Sequence, residues 1–209
     1  MEDFELLETW RGGDNRAGQE LFKRHFDAVC RFFANKVSDD VEDLIQKTFL
    51  ACVEGKERFR GEASFRGYLF GVARNVLRRY YRDKKYQKQR FDPLEHSVHD
   101  AGPAPSMVVA EKREQQLLLA ALRQIPLDHQ ITLELYYWEQ MSASELGAVL
   151  GLPEGTVRGR IRRAKQLLEE QLTAMTDSPE LLKSTMGDLE GWAKSLRERA
   201  LQAGPGDEA

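Results

Sequence analysis

The sequence predicts an all-α protein: two small helical domains joined by an extended linker, the second with a helix-turn-helix, plus a C-terminal helical extension. Composition points that way, because Leu outnumbers Ile by 26 to 4 and Ala, Glu, Gln, Arg and Lys abound. Apolar residues recur at steps of three and four rather than two. That periodicity lapses near the middle of the chain, in a proline-bearing acidic stretch that divides the 209 residues into two blocks. The boundaries read as 1–90 for the first domain, 91–106 for the linker, 107–173 for the second domain and 174–209 for the extension.

In the first domain, residues 14–37 place Phe22, Phe26, Val29, Phe33 and Val37 on one stripe of a helix. Asp39, with Glu42 three residues on, caps the next helix. Its inward face is Val41, Leu44, Ile45, Thr48, Phe49 and Cys52, which leaves Asp40, Asp43, Gln46 and Lys47 outward, and Gly55 ends it. After the loop RFRGEAS a long helix is predicted from about Phe65 to Gln89. Phe65, Leu69, Val72, Val76 and Tyr80 face its core, and Arg74, Arg78, Tyr81, Arg82 and Lys85 gather on another side.

Charge is unevenly spread. The chain has 31 basic and 34 acidic residues, a net of −3. Yet Lys56–Arg90 holds twelve basic residues against three acidic ones, a net of +9, and Glu154–Lys165 holds five against one, a net of +4. Everything else carries −16. Two concentrated basic segments in an acidic background suit two contacts with one polyanion. Other classes are excluded more simply. No run of eighteen apolar residues exists to span a membrane, and MEDFELLETW lacks a signal-peptide pattern. Cys30 and Cys52 form no CxxC pair, so neither a metal site nor a disulfide scaffold is expected, and no cofactor motif appears. No carboxylate pair, Cys–His arrangement or nucleophile motif marks an enzyme.

The linker FDPLEHSVHDAGPAPS has three prolines and no basic residue, and reads as extended, with His96 and His99 in solvent rather than on a metal. Beyond it, one helix stops before Pro126 and another follows with Ile131, Leu135 and Trp138 on one side. Ser142 and Glu145 then form a capping box opening SASELGAVLG, whose buried positions are Leu146, Val149 and Leu150. Gly151-Leu152-Pro153 supplies the break. In the next helix Val157, Ile161, Ala164 and Leu168 pack inward. Thr156 helps satisfy amides at its start, while Arg158, Arg162 and Lys165 fall away from the inward face and Arg160 and Arg163 flank it. Such a helix fits the DNA major groove, where arginine bonds two acceptors of guanine. The extension has a helix starting at Ser178-Pro179-Glu180, with Leu181, Leu182, Leu189, Trp192 and Leu196 apolar, suited to packing on the second domain, to occupying the DNA-binding face in an idle state or to meeting an inhibitor.

Three segments in this order, DVEDLIQKTFLACVEG, RFRGEASFRGYLFGVARNVLRRYYR and IPLDHQITLELYYWEQMSASELGAVLGLPEGTVRGRIRRAKQLL, resemble the bacterial RNA polymerase sigma subunits of the extracytoplasmic-function (ECF) group. The resemblance covers most of residues 14–172. It implies a cytoplasmic specificity subunit that binds core polymerase through the beta-prime and beta subunits, reads promoter DNA and meets an anti-sigma factor. Polymerase docking is expected at Asp40, Asp43, Gln46 and Lys47, with Lys47 and Cys52-Val53 departing from the family pattern. Reading of the melted minus-ten element is expected from Arg58, Arg60, Arg66, Arg74, Asn75, Arg78, Arg79, Tyr81 and Arg82. Gly67 and Gly71 continue that face and would let backbone approach DNA, and Tyr68 stands where the family often has tryptophan. Phe59 and Tyr80 are either further stacking surfaces or core. Reading of the minus-thirty-five element is expected from Thr156, Arg158, Gly159, Arg160, Arg162, Arg163 and Lys165. A sigma-mimicking interaction protein and a stand-alone helix-turn-helix regulator are the alternatives.

Overall fold

A computed structural model describes residues 1–37, 40–59, 64–85, 92–98 and 113–202. These residues form ten α-helices: α1 (Asp3–Arg11), α2 (Asn15–Ala34), α3 (Val41–Gly55), α4 (Phe65–Lys85), α5 (Arg113–Leu122), α6 (Leu127–Tyr137), α7 (Ala143–Leu150), α8 (Glu154–Met175), α9 (Pro179–Gly187) and α10 (Leu189–Gln202), with a 3₁₀ turn at Lys56–Arg58. Among them no helix is long and apolar enough to cross a membrane.

Helix α1 was not anticipated from the sequence, although its signals are local. Glu2 and Glu5 form a capping box, and Leu6, Leu7 and Trp10 bury one face against α2. Gly18 makes the contact close, because a Cβ there would come within 2.6–2.8 Å of the Trp10 indole. Arg11 then donates from Nε to the Lys56 carbonyl at 3.0 Å, tying α1 to the turn after α3. Helix α2 starts where Asp14 accepts from the Arg16 amide at 2.8 Å. Its stripe is shifted from the expected one: Leu21, Ala28, Val29, Phe32 and Phe33 are buried, whereas Phe26 is 38% exposed. The proposed cap at Asp39 lies outside the described residues; α3 begins after Asp40. Its inward face is as predicted, with Leu44, Ile45, Thr48 and Cys52 buried.

Helix α4 carries two buried stripes rather than one. Phe65 and Leu69 are buried as expected, and Phe70, Ala73, Leu77 and Tyr81 form a second set. The reason is that α4 packs on α2 and α3 and also on α7 of the second domain. A single core runs through both halves, joining Leu21, Phe33, Leu69 and Leu77 to Leu127, Ile131, Leu146 and Val157. A smaller core under α5, α6 and α8 takes in Leu189 of the extension.

The described start of the linker is docked rather than free. Pro93, Ser97 and Val98 are buried, and the carbonyls of Pro93 and His96 accept from the Asp128 and Leu127 amides at 2.8 and 3.0 Å. These bonds satisfy amides at the start of α6 that a helix leaves unpaired. His99, residues 86–91 and the rest of the linker lie outside the described residues.

In the helix-turn-helix, the Ser142 hydroxyl accepts from the Glu145 amide at 3.2 Å while Glu145 accepts from the Ser142 amide at 2.8 Å. Gly151 closes α7 in the left-handed region, at φ 68°. Helix α8 then runs unbroken to Met175, burying Val157, Ala164, Leu168 and Leu172. Thr156 is exposed, and no side chain caps α8; its first amides bond the Pro153 carbonyl instead. The extension forms two helices, not one, and α10 touches both α2 and α6, so it spans the two domains. Ser142→Ala is expected to lower stability by about 1 kcal/mol in urea denaturation, because the capping box is lost.

Candidate nucleic-acid and polymerase interfaces

The outward face of α3 holds the four predicted docking residues. Asp43, Gln46 and Lys47 are exposed and Asp40 is half-buried at its start. Asp43 pairs with Lys47 at 2.5 Å, and Asp40 lies 3.1 Å from Lys84 Nζ on α4. Hydrogen bonds from Tyr80 and Lys84 hold the Asp40 carboxyl below its ordinary range. Sequence reasoning missed the apolar part of this face: Leu50 is 55% exposed and Val53 41%. Leu50 lies three and seven residues beyond Lys47 and Asp43, so polar and apolar groups share one surface. The signal was present in the helical spacing.

The predicted minus-ten residues on α4 separate into two groups. Asn75, Arg79 and Arg82 are exposed and Arg78 is half-buried. Arg74, Arg66 and Tyr81 are turned into the molecule. Tyr81 is 3% exposed, and its hydroxyl donates to the Lys36 carbonyl, so its ring is core and not an open stacking surface. Burial pushes the phenol well above its usual range. Arg74 forms a two-pronged pair with Asp128, Nε to Oδ1 at 3.2 Å and Nη2 to Oδ2 at 2.7 Å. Arg66 donates to the Glu139 carbonyl and to its carboxylate at 3.1 Å. Gly71 faces α7, since a Cβ there would lie 4.0 Å from the Val149 backbone, and Gly67 is buried; neither opens a path for DNA. Phe59 is half-buried against Tyr68, with ring centres 4.7 Å apart. Arg60 and the Arg58 side chain lie outside the described residues.

On α8, Arg158, Gly159, Arg162 and Arg163 are exposed on one continuous surface, and nothing lies within 4 Å of a Cβ built on Gly159. Arg158 pairs with Glu154 at 2.6 Å and Arg163 with Glu170 at 3.3 Å, both at the surface and therefore readily exchanged. Lys165 is half-buried, with Nζ 5.8 Å from the centre of the Tyr137 ring. Arg160 points inward, 3.6 Å from Asp128.

The strongest electrostatic feature lies between the domains and was not read from the sequence. Lys36, fully buried at the end of α2, donates to the Glu134 carboxylate and, at 2.5 Å, to the Phe32 carbonyl. Burial lowers the Lys36 pKa, and Glu134 and Glu139 oppose that shift. Arg31 grips Glu139 with Nε and Nη2 at 3.0 and 3.3 Å. The available signal was the run DHQITLELYYWEQ, where Asp128 and Glu134 interrupt positions too apolar to be surface.

Two basic helical modules, one carrying a helix-turn-helix, define a DNA-reading protein of the transcription class. Comparison with known proteins gives the family. Residues 21–86 match the model for Sigma-70 region 2 and residues 115–168 the model for Sigma-70, region 4, together more than half of the chain. The chain belongs to the sigma-70 family and, within it, to the extracytoplasmic-function sigma factors. The ECF RNA polymerase sigma-E factors of Salmonella typhimurium and Escherichia coli K12 are each 25% identical over 181 residues, covering 82% of this chain and 95% of theirs. Among solved structures, CnrH in complex with the cytosolic domain of CnrY is similar at a TM-score of 0.60 and 25% identity, over 84% of this chain and 99% of that one. The sigma factor RpoE in complex with the anti-sigma factor NepR from Bartonella quintana shares the fold at a TM-score of 0.59 and 21% identity, over 77% and 98%.

Removing one partner of a buried ion pair strands the other charge. Glu134→Ala is expected to cost about 3–5 kcal/mol, whereas the paired change Lys36→Met with Glu134→Leu costs far less, as read by urea denaturation of both. His129 supplies a pH-dependent part of stability. Burial, with Arg160 adding to it and Asp128 opposing, holds its pKa below the usual 6.5. The unfolded chain therefore takes up the proton first, so this contribution is complete above pH 6.5 and is lost as pH falls beneath it. Denaturation midpoints from pH 8 to about 5 should drop more for the wild type than for His129→Gln.

Proposed function

We propose that this chain directs core RNA polymerase to a restricted set of promoters and promotes strand opening there, without a catalytic site of its own. Core docking falls to the face of Asp40, Asp43, Gln46 and Lys47, which Leu50 and Val53 extend with apolar surface. The minus-ten strand falls to Asn75, Arg78, Arg79 and Arg82, joined by Arg58 and Arg60 of the preceding turn and loop and by Arg66 and Arg74 when the domains part. The minus-thirty-five duplex falls to Arg158, Gly159, Arg162 and Arg163, flanked by Thr156, Arg160 and Lys165. This reading places the chain in the cytoplasm with the polymerase. A protein partner of the anti-sigma kind belongs to the same proposal, as CnrH is found with the cytosolic domain of CnrY.

The observation that carries this reading is the α8 surface. A capped helix-turn-helix presents exposed arginines beside a glycine with open space around it, which lets a DNA backbone approach while guanidinium groups reach base edges. Opening needs no nucleotide hydrolysis by this chain, because binding energy for exposed bases offsets unstacking. A helix-turn-helix regulator acting alone would have no use for the mixed polar and apolar face of α3.

Run-off transcription tests the assignment with core polymerase alone, with this chain, and with its variants. The wild type is expected to confer promoter-specific product. Arg158→Ala with Arg162→Ala should lose promoter choice, each bidentate base contact contributing about 1–3 kcal/mol. Asp43→Ala should weaken capture of core in a pull-down while leaving direct DNA contacts intact. Undiminished promoter choice in the arginine variant removes the recognition-helix assignment.

A further inference from the structure

Helix α1 precedes residues 21–86, the first family match, yet its last residues reach the turn after α3. Arg11 is the reaching group. Its Nε and Nη2 donate to the Lys56 carbonyl at 3.0 and 2.8 Å, and Nη2 also donates to the Phe59 carbonyl. Nη1 is left to pair with Glu8, at 2.6 Å on the surface. The two acceptors stand at the end of α3 and of the 3₁₀ turn Lys56–Arg58 that follows it. Carbonyls at a helix end lack intrahelical partners and carry partial negative charge, which a guanidinium answers on both counts. Arg11 therefore caps α3 from a different helix.

Other contacts converge on the same turn. Lys56 brings Nζ to 3.5 Å from the Trp10 carbonyl and to 5.2 Å from the centre of the Trp10 ring. The Trp10 ring is in turn seated against Gly18. The Arg11 guanidinium lies 5.8 Å from the centre of the Phe59 ring, which Tyr68 of α4 also contacts. The turn is thus held from two sides, by α1 and by α4. At Phe59 the chain leaves it extended, with φ −71° and ψ 112°. A peptide group is planar, so gripping the Phe59 carbonyl sets the direction in which the backbone departs.

We propose, resting on the reading of Arg58 and Arg60 as strand contacts above, that Arg11 is a positioning residue for the minus-ten strand. Without touching nucleic acid it fixes the turn Lys56–Phe59, and with it the direction from which Arg58 and Arg60 meet the strand. Its side chain is only 20% exposed, and Nε and Nη2 are engaged by backbone, so it is not itself a phosphate contact. The task suits arginine in particular, because a planar fork spans two acceptors and the point charge of lysine does not. A turn ordered in advance spares the bound state the entropy of ordering it. It also rejects wrong bases, since a loosened turn adapts to matched and changed sequence alike. Loss of Arg11 therefore appears as lost selectivity at one promoter element.

Run-off transcription by the full chain with core polymerase tests this on a promoter that the wild type uses. Copies of that promoter carry single base-pair changes in the minus-ten or in the minus-thirty-five element. The quantity read is the ratio of product from the parent to product from each copy. A smaller folded fraction lowers both products together and leaves the ratio alone. Arg11→Ala is expected to lower the minus-ten ratios about fivefold, the size of one net hydrogen bond. The minus-thirty-five ratios, and capture of core in a pull-down, should hold. Arg11→Lys should lower the minus-ten ratios similarly, because it cannot span both carbonyls. Glu8→Gln should change nothing, because the fork survives it. Minus-ten ratios like those of the wild type in Arg11→Ala or Arg11→Lys overturn the positioning role. An equal fall at both elements overturns it too, since that marks general loosening. If Arg11→Ala fails to fold by circular dichroism, Arg11→Lys decides; if neither folds, Arg11 is structural and the proposal is lost. Absence of promoter-specific product from the wild type removes the sigma reading and this role with it, an outcome distinct from product whose base selection ignores Arg11.

Discussion

Three buried carboxylates, on α6 and just beyond it, set how the two halves of this molecule meet. Asp128, Glu134 and Glu139 are withdrawn from water, and each is matched by a cation from the first domain. An ion taken out of water is tolerated only with its partner in place. The pairs therefore fix one relative orientation of the domains far more tightly than apolar contact alone. The apolar core that continues from α4 into α6, α7 and α8 adds affinity to that closure, while the ion pairs add its specificity.

The same chemistry makes closure reversible. A surface stripped of purely apolar contact would be left sticky, whereas separated carboxylates and guanidinium groups regain hydration. Interfaces between domains of one chain are generally polar enough to move for this reason. Two of the cations, Arg66 and Arg74, lie on α4, the helix assigned to single-stranded DNA under the proposed function. Under that function promoter phosphates offer such cations alternative partners, and exchange between the two is balanced when the partners are comparable in strength.

Much of the individual helices was legible in the sequence. The capping box at Ser142 and Glu145, the left-handed Gly151, and the inward face Leu44–Cys52 of α3 depend on local spacing, and the structure has them as read. What the sequence hid is long-range. Arg74 falls beside Arg78 on a helical wheel and so reads as solvent-facing, yet its partner Asp128 is 54 positions away. Tyr81 and Gly71 were misread for related reasons: α7 covers Gly71, while the Tyr81 hydroxyl turns in to the Lys36 carbonyl just beyond α2. Periodicity tells which residues share a face, not whether another domain arrives there. Helix α1 is a different case, since its capping box and its Leu6, Leu7 and Trp10 were readable.

The charge distribution then acquires a mechanical meaning. A chain with segments of +9 and +4 would bind any polyanion unselectively if the remainder were neutral. Instead the remainder is −16, and part of that negative charge is aimed at the cations that matter. An intramolecular competitor works at an effective concentration that free nucleic acid in solution seldom reaches. DNA presented by a bound polymerase is also held locally, so it competes on equal terms where stray nucleic acid does not. Under the proposed function the placing of Asp128, Glu134 and Glu139 against these cations therefore bears on selectivity before any base is read.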